Sequence, residues 1–221
     1  MSKKRELIAK FLPNGVPFSE NLNNNAAFVA MRRSRFSNCP ELPDRSALYR
    51  EIAKRIGDSP IDYLEFGVWQ GASIDEWRRL NQHPGSRFFG FDTFEGLPEA
   101  WEKDHPKGTF STSGATPVIA DGRVSFVKGL FQETLRPFLA STELHRRLVV
   151  NVDCDLYSAT LFVLATLDKH FEPGTIVVFD DFYSMNHEFR AFVDYERSFG
   201  RAWEAIGRLP HCIKAAIEIR S

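Results

Sequence analysis

Acidic residues stand at or near the ends of several short apolar runs in this sequence, where their side chains could bind a ligand or a metal ion. The set comprises Glu65, Asp92, Asp153, Asp180 and Asp181. If the runs are strands of an open α/β sheet, their carboxyl ends form the edge at which ligands bind. A single acid in such a place is often only a helix cap. Five of them at successive runs indicate a shared binding site.

A glycine-rich turn follows the first of these runs. The segment from Glu65 to Ser73 reads Glu-Phe-Gly-Val-Trp-Gln-Gly-Ala-Ser, and such a turn lets a ligand approach the backbone and the N–H groups of the next helix. It lacks the Gly-x-Gly pair of the dinucleotide fingerprint, because Val68 and Trp69 occupy the middle. Asp92, at the end of the next run, lies where an acid accepts both ribose hydroxyls. The pattern therefore favours adenosine bound without a pyrophosphate over a nicotinamide dinucleotide.

A second group of acids indicates a metal site. Asn-Val-Asp-Cys-Asp-Leu-Tyr, which begins at Asn151, closes one apolar run, and Phe-Asp-Asp-Phe, which begins at Phe179, closes the next. If these runs are neighbouring strands, Asp153, Asp180 and Asp181 meet, and three close carboxylates repel one another unless a cation lies among them. Oxygen ligands alone suit a hard ion such as Mg²⁺. The competing interpretation is that the Asp pair only caps the following helix.

These side chains need a framework, and the apolar pattern predicts one of alternating strands and helices. Strand-like runs begin at Tyr63, Arg87, Val124, Leu148 and Thr175. Helical stretches are predicted over residues 46–56, 72–80, 132–140, 159–170 and 188–199. Near-continuous apolar strands separated by helices are typical of a parallel sheet covered on both faces. Residues 203–209 and 213–219 have no convincing helix between them, which predicts an antiparallel hairpin at the sheet edge.

Residues 1–45 differ from the domain predicted over residues 46–221. They are poorly periodic, with an Asn-rich stretch at 21–25, and we interpret them as an N-terminal arm. The arm carries four phenylalanines that would be costly to leave in water, namely Phe11, Phe18, Phe28 and Phe36. We therefore expect it to act as a lid over the substrate or as a segment that holds a homo-oligomer together. A partly ordered tail is the alternative.

Composition and charge exclude several classes of function. The 221 residues carry 28 basic and 29 acidic side chains, so no excess of positive charge attracts a nucleic acid. No apolar run approaches the roughly 18 residues of a membrane span, and no signal-peptide pattern follows the first residues. A cytoplasmic protein without membrane or nucleic-acid partners is expected. Three widely spaced cysteines give neither a disulfide framework nor a zinc site.

Five motifs occur in one order between residue 63 and about residue 182. They are Tyr63-Leu-Glu-Phe-Gly-Val-Trp-Gln-Gly-Ala-Ser, Gly90-Phe-Asp-Thr-Phe-Glu-Gly-Leu-Pro-Glu, Lys128-Gly-Leu-Phe-Gln-Glu-Thr-Leu, Asp153-Cys-Asp-Leu-Tyr-Ser-Ala-Thr and Phe179-Asp-Asp-Phe. Through them the chain resembles the macrocin O-methyltransferase (TylF-type) family, a branch of the class I S-adenosylmethionine-dependent methyltransferases. The resemblance implies an α/β, Rossmann-like fold: a mostly parallel seven-stranded sheet with helices on both faces and an antiparallel edge hairpin.

The resemblance also implies an activity, the transfer of a methyl group from S-adenosylmethionine to a hydroxyl of a small molecule, typically a sugar of a natural product, with Mg²⁺ at the site. By position in the motifs, the cofactor-binding residues are Glu65, Gly67, Gly71 and Ser73 on the methionine side, Asp92 at the ribose, and Gly129 and Phe131 at the edge of the adenine slot. The implied metal ligands are Asp153, Asp180 and Asp181.

A sugar hydroxyl is a poor nucleophile, so this reaction needs activation of the acceptor. A bound metal can fix the acceptor oxygen and lower the pKa of its hydroxyl. A base is still needed, and His187 is the candidate because imidazole titrates near neutral pH. Asp153 is the rival base.

Three other functions stay open. A phenol or catechol can replace the sugar as acceptor, because the arm, in which such enzymes build much of their acceptor pocket, matches no pattern. A nicotinamide-dependent reductase is a second possibility, and calorimetry with S-adenosylhomocysteine and with NAD separates it from a methyltransferase. A methyltransferase fold that has lost activity would serve as a binding module, but buried carboxylates without a function are costly.

Overall fold

The computed structural model describes residues 16–101, 104–144 and 146–221, with side chains from residue 20 onward. Within these residues seven strands form one sheet: β1 (Ile61–Phe66), β2 (Arg87–Asp92), β3 (Val124–Lys128), β4 (Arg147–Val152), β5 (Ile176–Phe179), β6 (Trp203–Arg208) and β7 (Ala215–Ile219). Their spatial order is β3-β2-β1-β4-β5-β7-β6. Strands β1 to β5 are parallel, whereas β7 pairs antiparallel with both β5 and β6. The predicted mostly parallel sheet with an antiparallel edge hairpin is confirmed.

Helices cover both faces of the sheet. They are α1 (Val16–Ser34), α2 (Arg45–Ile56), α3 (Ala72–Leu80), α4 (Phe131–Ser141), α5 (Tyr157–Leu167) and α6 (Glu188–Phe199), with short 3₁₀ helices at Asp168–His170 and Pro210–Cys212. One apolar cluster packs α2 and α3 against the sheet, and a larger one packs α1, α4, α5 and α6 on the other side. This burial on two faces explains why the strands are near-continuous apolar runs. No helix in the described part of the chain has both the length and the apolar character needed to cross a bilayer.

The direction in which the chain proceeds across the sheet reverses between β1 and β4. From β1 the chain continues outward through β2 and β3, and from β4 it continues the opposite way through β5. Open α/β sheets bind ligands in the crevice that such a reversal leaves at the carboxyl ends of the strands. Asp92 ends β2, while Asp153 and Asp180 directly follow β4 and β5. The fold therefore brings the acidic strand ends to this crevice.

The described part of the N-terminal arm contains a 19-residue helix, α1, that the sequence pattern does not indicate. Its apolar residues form no continuous stripe, which explains why periodicity misses it. Phe28 and Phe36 are nonetheless buried. The Phe28 ring lies 5.2 Å from Phe189, and the Phe36 ring lies 5.3 Å from Phe182. Phe11 and the side chain of Phe18 lie outside the described part of the structure.

Candidate active site

A cavity of about 460 Å³ lies at the carboxyl ends of β1, β2, β4 and β5. Its size is that of a pocket for a cofactor or a small molecule. Six of the residues predicted from the sequence line it: Gly67, Asp92, Phe131, Asp153, Asp180 and Asp181. Five others do not line it: Glu65, Gly71, Ser73, Gly129 and His187. The structure thus brings the two predicted constellations together around one space.

The glycine-rich turn after β1 needs glycine because two strand ends approach closely there. Gly67 has a φ of +92°, and a Cβ at this position would lie 1.8 Å from the carbonyl oxygen of Asp153. Gly71, with a φ of +80°, is the N-cap of α3 and carries no side chain that could cap the helix. A Cβ on Gly71 would approach Pro117 to 3.0 Å. Side chains at these two positions would obstruct the turn that borders the cavity.

Asp92 organises this turn through its carboxylate. One oxygen accepts the backbone N–H groups of Val68 and Trp69, each at 2.8 Å, and the other accepts the N–H of Phe94 at 2.8 Å. Trp69 and Phe94 have φ values of +48° and +59°, a strained region for such side chains that surrounding contacts must stabilise. Because an ionised carboxylate offers about four acceptor positions, the partly exposed Asp92 can still accept a ligand hydroxyl.

Glu65 lies directly beneath the turn, inside β1, and is buried. The Tyr63 hydroxyl donates a hydrogen bond of 2.5 Å to its carboxylate. Burial raises the pKa of Glu65 to about 8, a change that the Tyr63 hydrogen bond partly opposes. A ligand ammonium group near the turn would favour the ionised form of this carboxyl.

Three carboxylates form a compact cluster on the opposite side of the cavity. Oxygens of Asp153, Asp155 and Asp181 lie within 4.8 Å of one another. Burial and the charge of Asp181 raise the pKa of Asp155 to about 8. Burial, together with the charges of Asp180 and Asp155, raises the pKa of Asp153 well above its usual range. A hard divalent cation would relieve this repulsion, and an all-oxygen donor set suits Mg²⁺.

The cluster differs from the predicted metal set in one member. Asp180 is not part of it, because its carboxylate forms an ion pair with Lys214 from the turn between β6 and β7. Asp155 is a member instead, and its backbone has a φ of +58°. The signal for Asp155 was present in the sequence, where Asp-Cys-Asp follows β4. Both aspartates of this motif belong to the cluster.

Glu188 connects the two loops that carry the cluster, and no sequence motif indicates this role. It is fully buried at the start of α6, and its two carboxylate oxygens accept the backbone N–H of Cys154 at 3.3 Å and that of Asp181 at 3.0 Å. Burial and the nearby charges of Asp181 and Asp180 raise its pKa well above its usual range. In the sequence, an acid in the first turn of a helix indicates only a favourable helix terminus.

The histidine that lines the cavity is not the predicted one. His187 is the N-cap of α6, and its ring lies 6.4 Å from that of Trp101 in a perpendicular arrangement. His105, from the long connection between β2 and β3, lines the cavity instead. Arg45, at the start of α2, also lines it. Neither residue is predictable from the sequence, because both lie in segments without a recognisable motif.

A comparison of this chain with the sequence models of known protein families agrees with the geometry of the cavity. The sequence model of the macrocin O-methyltransferase (TylF) family matches residues 45–202, a stretch that contains every residue lining the cavity. The chain belongs to the TylF family. The resemblance drawn from the five motifs is thereby confirmed, and the protein is a member of a methyltransferase family.

One sequence relative and two solved structures illustrate what this TylF-family protein is similar to. It is 28% identical over 145 residues to the mycinamicin III 3''-O-methyltransferase of Micromonospora griseorubida, a match that covers 56% of each chain and so spans about half the length of that relative. The structure of the O-methyltransferase NovP superposes with a TM-score of 0.62 at 21% identity over 80% of both chains. An apo structure of CalS11, described as a TDP-rhamnose 3'-O-methyltransferase, superposes with a TM-score of 0.57 at 18% identity over 96% of this chain and 98% of that one. The two structures support the same Rossmann-like fold.

Proposed function

We propose that this protein transfers the methyl group of S-adenosylmethionine to a hydroxyl of a sugar in a natural product or glycan, with the assistance of Mg²⁺. The observation that carries the proposal is the cavity, which has the glycine-rich turn and Asp92 on one side and three clustered carboxylates on the other. Membership of the TylF family supports methyl transfer to oxygen. The description of CalS11 as a TDP-rhamnose methyltransferase supports a sugar as acceptor.

The cofactor is proposed to occupy the half of the cavity near β1 and β2. Asp92 accepts the ribose hydroxyls while it holds the turn, and Phe131 borders the adenine next to Gly129. Gly67 and Gly71 keep the turn free of side chains. In the layer beneath, Glu65 supplies a carboxylate for the methionine ammonium group and Ser73 lies buried at the start of α3.

The metal ion is proposed to be held by Asp153, Asp155 and Asp181, with Asp180 at the border of the site. When bound, the ion would supply a Lewis acid that orients the acceptor and lowers the pKa of its hydroxyl. Glu188 fixes the loops on which these carboxylates lie. Of the two bases predicted from the sequence, Asp153 lines the cavity and His187 does not, so the proposal assigns proton removal to Asp153.

Two measurements test this function. Calorimetry should give a micromolar dissociation constant for S-adenosylhomocysteine, or roughly −7 to −8 kcal/mol, and no binding of NAD. A methyl-transfer assay with a panel of macrolide glycosides, nucleotide sugars and catechol should show activity on a sugar that disappears with EDTA and returns with Mg²⁺. Full turnover by protein freed of metal would contradict the metal assignment, and turnover of catechol alone would replace the sugar by a phenol.

We also propose that residues 1–45 cover the active site or join subunits of a homo-oligomer. Helix α1 packs on the segment that follows β5: Asn24 donates a hydrogen bond of 3.0 Å to Asn186, and Phe28 contacts Phe189. Removal of residues 1–44 should leave the affinity for S-adenosylhomocysteine nearly unchanged but abolish turnover or reduce the hydrodynamic size. Normal turnover at unchanged size would contradict both roles.

A further inference from the structure

Four aromatic side chains form a continuous surface within the cavity, which we call the aromatic wall: Trp69, Trp101, His105 and Phe110. The Trp69 and Phe110 rings meet edge to face at 5.7 Å between centroids. The Phe110 and His105 rings are stacked at 5.5 Å, and the His105 and Trp101 rings lie 4.9 Å apart. All four residues line the same space as the acidic cluster, so the wall faces the region where methyl transfer is proposed.

Packing of the protein core does not account for this wall. Trp69 is 46% exposed and Phe110 is 36% exposed, whereas most of the large aromatic side chains of the sheet are buried. Both residues also have positive φ values, +48° and +66°, which are genuine outliers for bulky side chains. Backbone strain therefore accompanies the presentation of two apolar rings to the cavity. Strained residues of this kind concentrate at ligand sites.

Trp101 adds a polar group to the wall. Its side chain is 7% exposed and its indole N–H is buried, yet the described residues offer that N–H no hydrogen-bond acceptor. A buried donor without a partner is costly and is rare in folded proteins. Because Trp101 lines the cavity, an oxygen atom of a bound ligand is the partner that this space can supply.

We propose that the aromatic wall is the acceptor subsite and that its ligand is a pyranose ring. The apolar C–H face of the sugar packs on the rings of Trp69 and Phe110, and a ring, hydroxyl or glycosidic oxygen accepts the Trp101 indole N–H. This proposal rests on the proposed function and specifies the part of the acceptor that the protein recognises. It makes the wall a determinant of acceptor specificity that is separate from cofactor and metal binding.

A pyranose suits the lining better than a phenol does, because one face of a sugar is apolar while its edge carries several hydroxyl donors and oxygen acceptors. In the same cavity, the carboxylates of Asp153, Asp155 and Asp181 can accept hydrogen bonds from hydroxyls. On the wall itself, Trp101 supplies a donor for an oxygen. A flat phenol would pack on the rings but would use fewer of these polar groups.

The test measures sugar binding directly, by saturation-transfer NMR of methyl α-L-rhamnopyranoside and methyl α-D-glucopyranoside on the full chain loaded with S-adenosylhomocysteine and Mg²⁺. Phe110→Leu removes an exposed ring but keeps an apolar side chain, and Trp101→Phe removes the N–H but keeps a ring. Phe199→Leu is the matched control, because Phe199 is 43% exposed and lies outside the cavity lining. Catechol is the comparison ligand.

We expect saturation transfer to the pyranose ring protons in the wild type and in Phe199→Leu. The saturation-transfer signal should be at least fivefold weaker in Phe110→Leu and in Trp101→Phe. Calorimetry should show unchanged binding of S-adenosylhomocysteine in all of them. The inference is overturned if neither pyranoside binds the wild type, if both wall variants bind pyranosides normally, or if only catechol binding depends on the wall. If Trp101→Phe does not fold, Phe110→Leu alone decides. If the wild type does not bind S-adenosylhomocysteine, the proposed function is overturned. The aromatic wall is then judged by the pyranoside signals of the wild type and the two wall variants alone.

Discussion

The two sides of the cavity are built in different ways. Near β1 and β2, on the proposed cofactor side, the backbone supplies the shape: three backbone N–H groups bind the Asp92 carboxylate, and Gly67 allows a close approach of two loops. On the acidic side, near β4 and β5, side chains of one charge are held together by Glu188 and Lys214. The first side is preorganised without any ligand, whereas the second carries a repulsion that a cation would remove.

The two sides meet at one point, through the backbone. The N–H of Asp153 donates to the carbonyl of Phe66 at 2.9 Å, and the Gly67 Cα faces the Asp153 carbonyl so closely that no Cβ fits. If the comparison is right, substitutions on the acidic side should change metal binding alone, and substitutions on the cofactor side should change S-adenosylhomocysteine binding alone.

The largest effect is expected for Asp181→Asn. It removes one of three charges that a divalent ion would need, so Mg²⁺ binding and methyl transfer should each fall by at least about a hundredfold, while S-adenosylhomocysteine binds within about twofold of the wild type. Isothermal titration with Mg²⁺ and with the cofactor product measures both. Asp58→Asn, at an exposed residue just after α2, is the control. Normal Mg²⁺ binding in Asp181→Asn would show that the cluster does not hold the ion.

The next effect is expected for Asp92→Ala. It removes the proposed ribose acceptor together with the acceptor for three backbone N–H groups, so S-adenosylhomocysteine should bind about ten- to a hundredfold more weakly. Asp92→Asn keeps one carbonyl oxygen and should give an intermediate value. A parallel calorimetric titration of Asp92→Ala with Mg²⁺ should show an unchanged metal affinity. An unchanged affinity of Asp92→Ala for the cofactor product would remove Asp92 from the cofactor site.

The fold was largely predictable from the sequence because its central strands are buried on both faces and helices such as α3 and α6 have clear apolar stripes. Residues 72–80 and 188–199 were predicted as helices and are helices α3 and α6 with the same bounds. Helix α1 was not predictable in this way, because its stability depends on contacts of Phe28 and Phe36 with residues far away in the chain.

The candidate site was predictable in its location but not in its details. Acids at parallel strand ends must meet at one edge, which places Asp153 and Asp181 together. Whether Asp155 or Asp180 completes the cluster depends on a positive φ in the first case and on an ion pair with Lys214 in the second. Neither the backbone angle nor a partner 34 residues away follows from a local pattern.

Glu188→Gln tests whether the acidic side is held in place by a single buried side chain. The Gln side chain keeps one acceptor oxygen but turns an amide N–H₂ group toward the N–H of Cys154 or of Asp181. Mg²⁺ affinity should fall about tenfold through the lost hydrogen bond and the displaced loop. S-adenosylhomocysteine binding should not change, and Glu133→Gln, an exposed residue at the start of α4, should change neither. Equal Mg²⁺ affinities of Glu188→Gln and the wild type would show that the loops keep their positions without this carboxylate.

The smallest effect is expected at Glu65, a buried carboxyl group on the cofactor side. The pKa of this carboxyl is raised, chiefly by burial, from an ordinary value of 4.5 to about 8. Between these values the folded protein keeps a proton that the unfolded chain has lost, so the free energy of unfolding falls as the pH rises from 4.5 to about 8 and then levels off. Glu65→Gln does not titrate and removes this dependence.

Glu65→Gln should therefore be more stable than the wild type at pH 8, by about 1–2 kcal/mol, because the buried amide N–H₂ cancels part of the gain. The difference should shrink as the pH is lowered toward 4.5, and thermal unfolding at a series of pH values measures it. The same variant should bind S-adenosylhomocysteine about two- to tenfold more weakly, since the ligand ammonium group would lose the carboxylate proposed as its partner. Equal stabilities at pH 8 would mean that Glu65 is already ionised in the free protein. The cofactor side would then be preorganised in its charge as well as in its backbone, and only the acidic side would depend on a ligand for its charge balance.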